Sequence, residues 1–124
     1  MRQHDIKDVQ IVFPLAARTA TPTAVTISTP CPHGIFVIHC TAVTSSPSVV
    51  FTISGVDAVG EAIWTILASA AITGTGTTVL RVHPSLTASA NTIAKDFLPQ
   101  AIKIAPVHGN ADSITYSMGF IGAV

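Results

Sequence analysis

The chain has 124 residues, room for one domain with a single core that needs no disulfide or metal staple. Charged residues make up 10% of it, against about 25% in an average globular domain, and its six basic and six acidic side chains cancel. Arg2, Lys7, Arg18, Arg81, Lys95 and Lys103 are scattered with no two adjacent, which argues against a direct nucleic-acid partner.

The N-terminal stretch Met1-Arg2-Gln3-His4-Asp5 lacks the apolar core of a signal peptide, so synthesis in a cytoplasm is expected. The first eight residues hold Arg2, Asp5, Lys7 and Asp8, four of the twelve charges, and predict an N-terminal arm over 1–8 ahead of a single β-sandwich domain over 9–124. Residues 9–17 and 24–29 are rich in β-branched side chains and are separated by Pro22. Thr29-Pro30-Cys31-Pro32-His33-Gly34 then breaks the chain, because two prolines and a glycine do not suit a central strand. Strands are expected at 35–42 and at 49–56, with a turn at Ser45-Ser46-Pro47-Ser48 between them. In the second of these Val49, Phe51 and Ile53 share one face and Thr52 and Ser54 the other. Residues 57–60 read as a hairpin loop into a strand at 62–68, and Gly74-Thr75-Gly76 turns the chain into a strand at 77–83. The longest apolar stretch, 62–72, is interrupted by Thr65 and Ser69 and is far short of the roughly 20 residues that a spanning helix needs; no membrane partner is expected.

Between 87 and 98 the period changes. Ala90, Ile93, Ala94 and Phe97 recur at helical spacing and Pro99 ends the run, so a short helix or a compact crossover loop is predicted there, covering one end of the core. Strands at 101–107 and 113–121 follow as a predicted hairpin across Gly109-Asn110-Ala111-Asp112. The alternation is clearest in the last, with Ile114, Tyr116, Met118 and Phe120 on one face and Thr115, Ser117 and Gly119 on the other. The fold class is all-β, an antiparallel β-sandwich or jelly-roll-like barrel with one short helix or crossover loop near 87–98.

Residues able to carry chemistry do not converge. Cys31, His33, His39 and Cys40 have the types of a zinc set, but His39 and Cys40 are consecutive in a strand and point to opposite faces. Cys40 shares its face with Phe36 and Ile38 and reads as a buried thiol; a Cys31–Cys40 disulfide would close too short a loop to restrain much of the fold. His108, Asp112 and Ser113 cluster across a turn, where Asp112 is explained by local backbone bonding, and no G-x-S-x-G elbow accompanies Ser113. Residues 72–78 are Gly-rich but lack the lysine of a phosphate loop. Trp64 and Tyr116 have the aromatic faces of a sugar site, yet each lies in an apolar period-two run that points to the core. No catalytic, cofactor-binding or metal residue is therefore assigned, no cofactor is expected, and the chain is not expected to be an enzyme.

Surface chemistry points elsewhere. With so few ions, solvation falls to 16 Thr and ten Ser, and a neutral surface costs little to bury against protein. Homo-oligomerisation is expected, with Val79, Arg81 and His83 on one strand face as candidate contacts; a Ser/Thr-rich secreted module is the competing reading.

The second half also resembles a group of small tailed-bacteriophage virion proteins. The resemblance rests on Trp64-Thr65-Ile66-Leu67-Ala68-Ser69-Ala70-Ala71-Ile72, Gly76-Thr77-Thr78-Val79-Leu80-Arg81-Val82, Pro84, Leu86-Thr87-Ala88, Ala90-Asn91-Thr92, Leu98-Pro99 and Ala111-Asp112-Ser113-Ile114-Thr115-Tyr116-Ser117. It implies a virion structural protein, with capsid decoration (a cement protein bound to the major capsid protein) as the favoured role, and a tail, neck or fibre subunit as the alternative. A trimer at a three-fold position is the usual placement it implies. A carbohydrate-binding β-sandwich that aids adsorption is a further alternative, resting on Trp64 and Tyr116.

Overall fold

The computed structural model describes residues 6–57 and 62–124. Its regular elements are strands: β1 (Ile6–Arg18), β2 (Val25–Ser28), β3 (His33–Val43), β4 (Val49–Val56), β5 (Ala62–Ala68), β6 (Gly76–Val82), β7 (Ile93–Ala94), β8 (Ala101–His108) and β9 (Ile114–Ala123). Two sheets form, in the orders β1-β9-β3-β6-β7 and β2-β8-β4-β5. The antiparallel pairs β1–β9, β2–β8, β3–β6 and β4–β5 are nested, each lying inside the previous one in sequence. The chain is thus one long ribbon with its tip between β4 and β5, rolled up so that β9 also meets β3 and β8 also meets β4. That winding is a jelly roll, as the alternating pattern led us to expect for an all-β sandwich.

Period-two patterning builds the core between the sheets. Ile114, Tyr116, Met118 and Phe120 of β9 point inward, and so do Phe36, Ile38 and Cys40 of β3, Val49, Phe51 and Ile53 of β4, and Ile102 and Ile104 of β8. Phe51 meets the Tyr116 ring edge-on across the sheets, with centroids 5.1 Å apart, and Phe36 packs on Phe120 at 4.9 Å. Ser69 is buried without penalty because its Oγ accepts the Phe51 amide at 2.9 Å.

Three expectations are corrected or bounded. Of the short helix or crossover loop expected at 87–98, the helix is absent and the segment is a loop carrying β7, which runs parallel to β6. The backbone bonds to the sheet instead, Arg81 N–H to Thr92 O and His83 N–H to Ala94 O, and Asn91 takes a left-handed φ of 65° that interrupts any helical turn. The supposed helical stripe does not bury itself either, since Ala90 and Phe97 are exposed. Strands β8 and β9 are not a hairpin: Gly109 to Asp112 reverse the chain, but the two strands lie in different sheets. Of the predicted arm, residues 1–5 lie outside the described residues, as do residues 58–60 of the loop predicted at 57–60, while Ile6 and Asp8 of β1 pair with Ala123 and Gly122.

Candidate functional site

Both sheets have an outer face, and the two differ in chemistry. On the four-stranded sheet the outward row Thr26, Lys103, Ser54 and Thr65 is polar, the next row Thr52, Ala105 and Ala68 carries small side chains, and beyond it Val50 lies beside Val107, which is 54% exposed. On the five-stranded sheet two successive outward rows are apolar. Register places Val9, Ile121 and Ile35 side by side with Arg81 at the end of the row, and Ile11, Gly119, Val37 and Val79 in the next. The polar row Ser117, His39 and Thr77 follows. Val9 and Ile11, on the edge strand β1, are 72% and 80% exposed. An apolar sheet face of this kind is uncommon on an isolated fold, while its edge strand β1 is interrupted by Pro14 and by register shifts against β9.

The face is dented on both sides. Gly119 leaves a hollow of about 340 Å³ with Ile11, Pro14 and Leu15 around it. At the other end a groove of about 420 Å³ has Ile35, Ile121 and Leu86 as its apolar lining and Arg81, His33 and His83 as its polar one. The two imidazoles meet at a tilt of 46° with centroids 4.2 Å apart, and His83 Nδ1 accepts the Ser85 amide at 2.9 Å, which leaves Nε2 as the ring's donor position. The predicted contact residues Val79, Arg81 and His83 therefore do belong to one surface. Val9, Ile11, Ile35, Val37 and Ile121 were missed, although a signal existed: Ile35-Phe36-Val37-Ile38 is apolar at four consecutive positions, the pattern of a strand covered on both faces.

The residues considered for chemistry lie apart. Cys40 faces the core while His39 faces out, and both cysteines are free and buried. Burial raises the Cys40 thiol above its ordinary pKa, outweighing the opposing effect of its contact with the Ala42 carbonyl. His108 does not meet Ser113; its Nε2 lies 3.0 Å from the hydroxyl of Tyr116, which is fully buried as expected. Arg18 completes this cluster. Its guanidinium lies 4.3 Å from the Tyr116 ring centroid and donates to the carbonyls of Tyr116 (2.8 Å), Pro14 (2.7 Å) and Ala16 (3.1 Å), at the bulge where β1 slips register against β9. Burial pushes the Tyr116 phenol up to about 12 against the pull of Arg18, and holds His108 below the ordinary imidazole value with the Arg18 charge helping. The cluster reads as a staple of the β1–β9 seam. Trp64, expected in the core, is instead 39% exposed, its ring lying over Gly55 on the neighbouring strand.

No protein-family model and no curated protein matches the sequence. In structure the chain is similar to a chain in the structure of infectious bursal disease virus, Gx strain, with a TM-score of 0.54 at 12% identity. The match covers 99% of the present chain and 33% of the viral one, so the present chain spans about a third of that chain's length. At this identity the likeness is one of fold, and it embraces both sheets.

Proposed function

We propose that the chain is a virion structural protein, a capsid decoration or cement protein that binds a shell through the outer face of its five-stranded sheet and works without catalysis. The observation that carries this reading is the pair of apolar outward rows built on Val9, Ile121 and Ile35 and on Ile11, Val37 and Val79, next to a largely exposed edge strand. Burying such a face against neighbouring chains adds apolar contact across a lattice with few ions to desolvate. The fold likeness to a chain of a virus structure supports the same general setting. The major capsid protein and further copies of this chain are the partners of this reading; nucleic acid and membrane are not, and the working location is the virion after synthesis in the host cytoplasm.

Gly119→Glu tests it. A Cβ at Gly119 meets nothing closer than the Gln10 carbonyl at 3.7 Å, so the backbone has room for a side chain there, and the glutamate sets a charge in the middle of the apolar face. We expect the parent protein to co-sediment with shells stripped of it and the variant to stay in the supernatant with unchanged melting temperature. Shells that bind both equally, or neither, overturn the proposal. Labelling intact virions separates decoration from a tail, neck or fibre position. The carbohydrate-binding alternative rests on Trp64, whose ring presents one face to Gly55; glycan arrays that quench its fluorescence would favour that reading.

A further inference from the structure

We infer that the groove at the Arg81 end of the apolar face receives the Asp96–Phe97 knob of a second copy of this chain, in a reciprocal two-fold contact. The inference rests on the reading that this face is covered by protein and names the chain that covers one end of it.

The groove and the knob have matching chemistry. The groove offers an aliphatic lining in Ile35, Leu86 and Ile121, a guanidinium in Arg81 and the imidazole of His83, and no carboxylate side chain is among its lining residues. Its complement is an apolar group of moderate size with an acid beside it. Phe97 is 58% exposed, the most exposed aromatic ring among the described residues, and stands on an otherwise irregular segment. Asp96 precedes it, with one carboxylate oxygen accepting the Phe97 amide at 2.8 Å, which keeps the acid close to the base of the ring. Aromatic anchors that fill pockets beside an ion pair are the usual centres of protein interfaces.

Placement sets the symmetry. The Leu98 amide donates to the Pro32 carbonyl at 2.7 Å, which ties the residue after the knob to the residue before His33 and hence to the groove's wall. Strand β7, just ahead of the knob, runs beside Arg81 and Val82. Knob and groove are therefore neighbours on one end of the molecule. Two copies facing each other across a two-fold axis engage both pairs at once, whereas a ring of three needs knob and socket on different sides. Burying Phe97 on Ile35 and Ile121 of the other copy removes apolar surface from water on both partners, and Asp96 meets Arg81 there.

Sedimentation equilibrium of the whole chain over the micromolar range tests this. The parent is expected to form a concentration-dependent dimer. Phe97→Ser and Arg81→Glu, both exposed positions, are each expected to weaken it by on the order of tenfold or more with unchanged circular dichroism. The charge swap Arg81→Asp with Asp96→Arg restores association, which neither a folding defect nor a general loss of charge would do. Lys95→Ala, next to the knob but outside the pairing, leaves the dimer intact. A monomer throughout, a trimer, or a dimer indifferent to Phe97→Ser overturns the inference. Shell binding is measured separately, so a shell-binding monomer would sink this contact while leaving the proposed function standing.

Discussion

Gly55→Ala is the sharpest probe of how the four-stranded sheet is finished. Gly55 in β4 is paired with Trp64 in β5, and the indole lies against the glycine so closely that an added Cβ would fall 2.6 Å from Cη2 and nearer still to Cζ2 and Cε2. No ring tolerates that approach, so the indole must swing outward, where its existing 39% exposure shows the way is open. The surface it would surrender is on the order of 100 Å² for a side chain of this size. At roughly 25 cal/mol per Å² that is about 2.5 kcal/mol. Replacing glycine stiffens the unfolded chain and returns about 0.4–1 kcal/mol. The net loss is therefore about 1.5–2 kcal/mol, a fall in melting temperature of roughly 5–10 °C for a domain of this length. Trp64 is the single tryptophan, so its emission reports the swing directly as a red shift and easier quenching by iodide. A variant that keeps the parental emission maximum and melts at the parental temperature would refute the packing argument.

Three further outcomes follow from the seam and the thiols. Arg18→Ala removes donors to the carbonyls of Pro14, Ala16 and Tyr116 together with the contact on the Tyr116 ring, and should cost about 2–3 kcal/mol in urea unfolding; Arg18→Lys should recover less than half, because an ammonium lacks the planar fork that reaches several carbonyls. Thermal stability should decline at both ends of the pH scale. His108 is held below 6.5 in the fold, so the unfolded chain binds the extra proton and stability falls as pH drops under 6.5; Tyr116 is raised from 10.0 to about 12, so the unfolded chain loses its proton first and stability falls as pH climbs from 10 towards 12. His108→Gln should flatten this residue's share of the acid limb in a plot of melting temperature against pH, and an unaltered limb would count against the assignment. Cys31 and Cys40, both buried, should react with an aromatic disulfide reagent only through unfolding, slowed by a factor on the order of a thousand or more relative to denatured protein; prompt labelling of either would contradict their burial.

Strand positions were legible because one face of each strand is buried and alternation records it, as in Ile114, Tyr116, Met118 and Phe120. Partnership was not legible in the same way. Gly109 to Asp112 announce a reversal, but a reversal within a sheet and a crossing between sheets use the same turn residues, so the pattern does not distinguish a β8–β9 hairpin from strands in different sheets. At 87–98 small alanines mimic a helical stripe because spacing alone does not tell whether the positions are covered, and Phe97 is not. Trp64 is on the core-side face, in register with Gly55 and Ile102, yet it sits on an edge strand, so its ring covers Gly55 while 39% of the residue stays in solvent, which alternation alone does not record. Of the candidate surface, Val79, Arg81 and His83 were visible from alternation within one strand; the apolar rows needed four strands in register.

The outermost turn of the rolled ribbon has a practical consequence. Ile6 stands opposite Ala123, so the start of β1 and the end of β9 lie side by side. A short peptide can join the end of β9 to the start of β1 there, and the break can be moved to Gly74, where an added Cβ would meet nothing within 4 Å. For the same reason the whole unit can be grafted into a surface loop of an unrelated host protein without stretching either junction, displaying its apolar face wherever the host carries it.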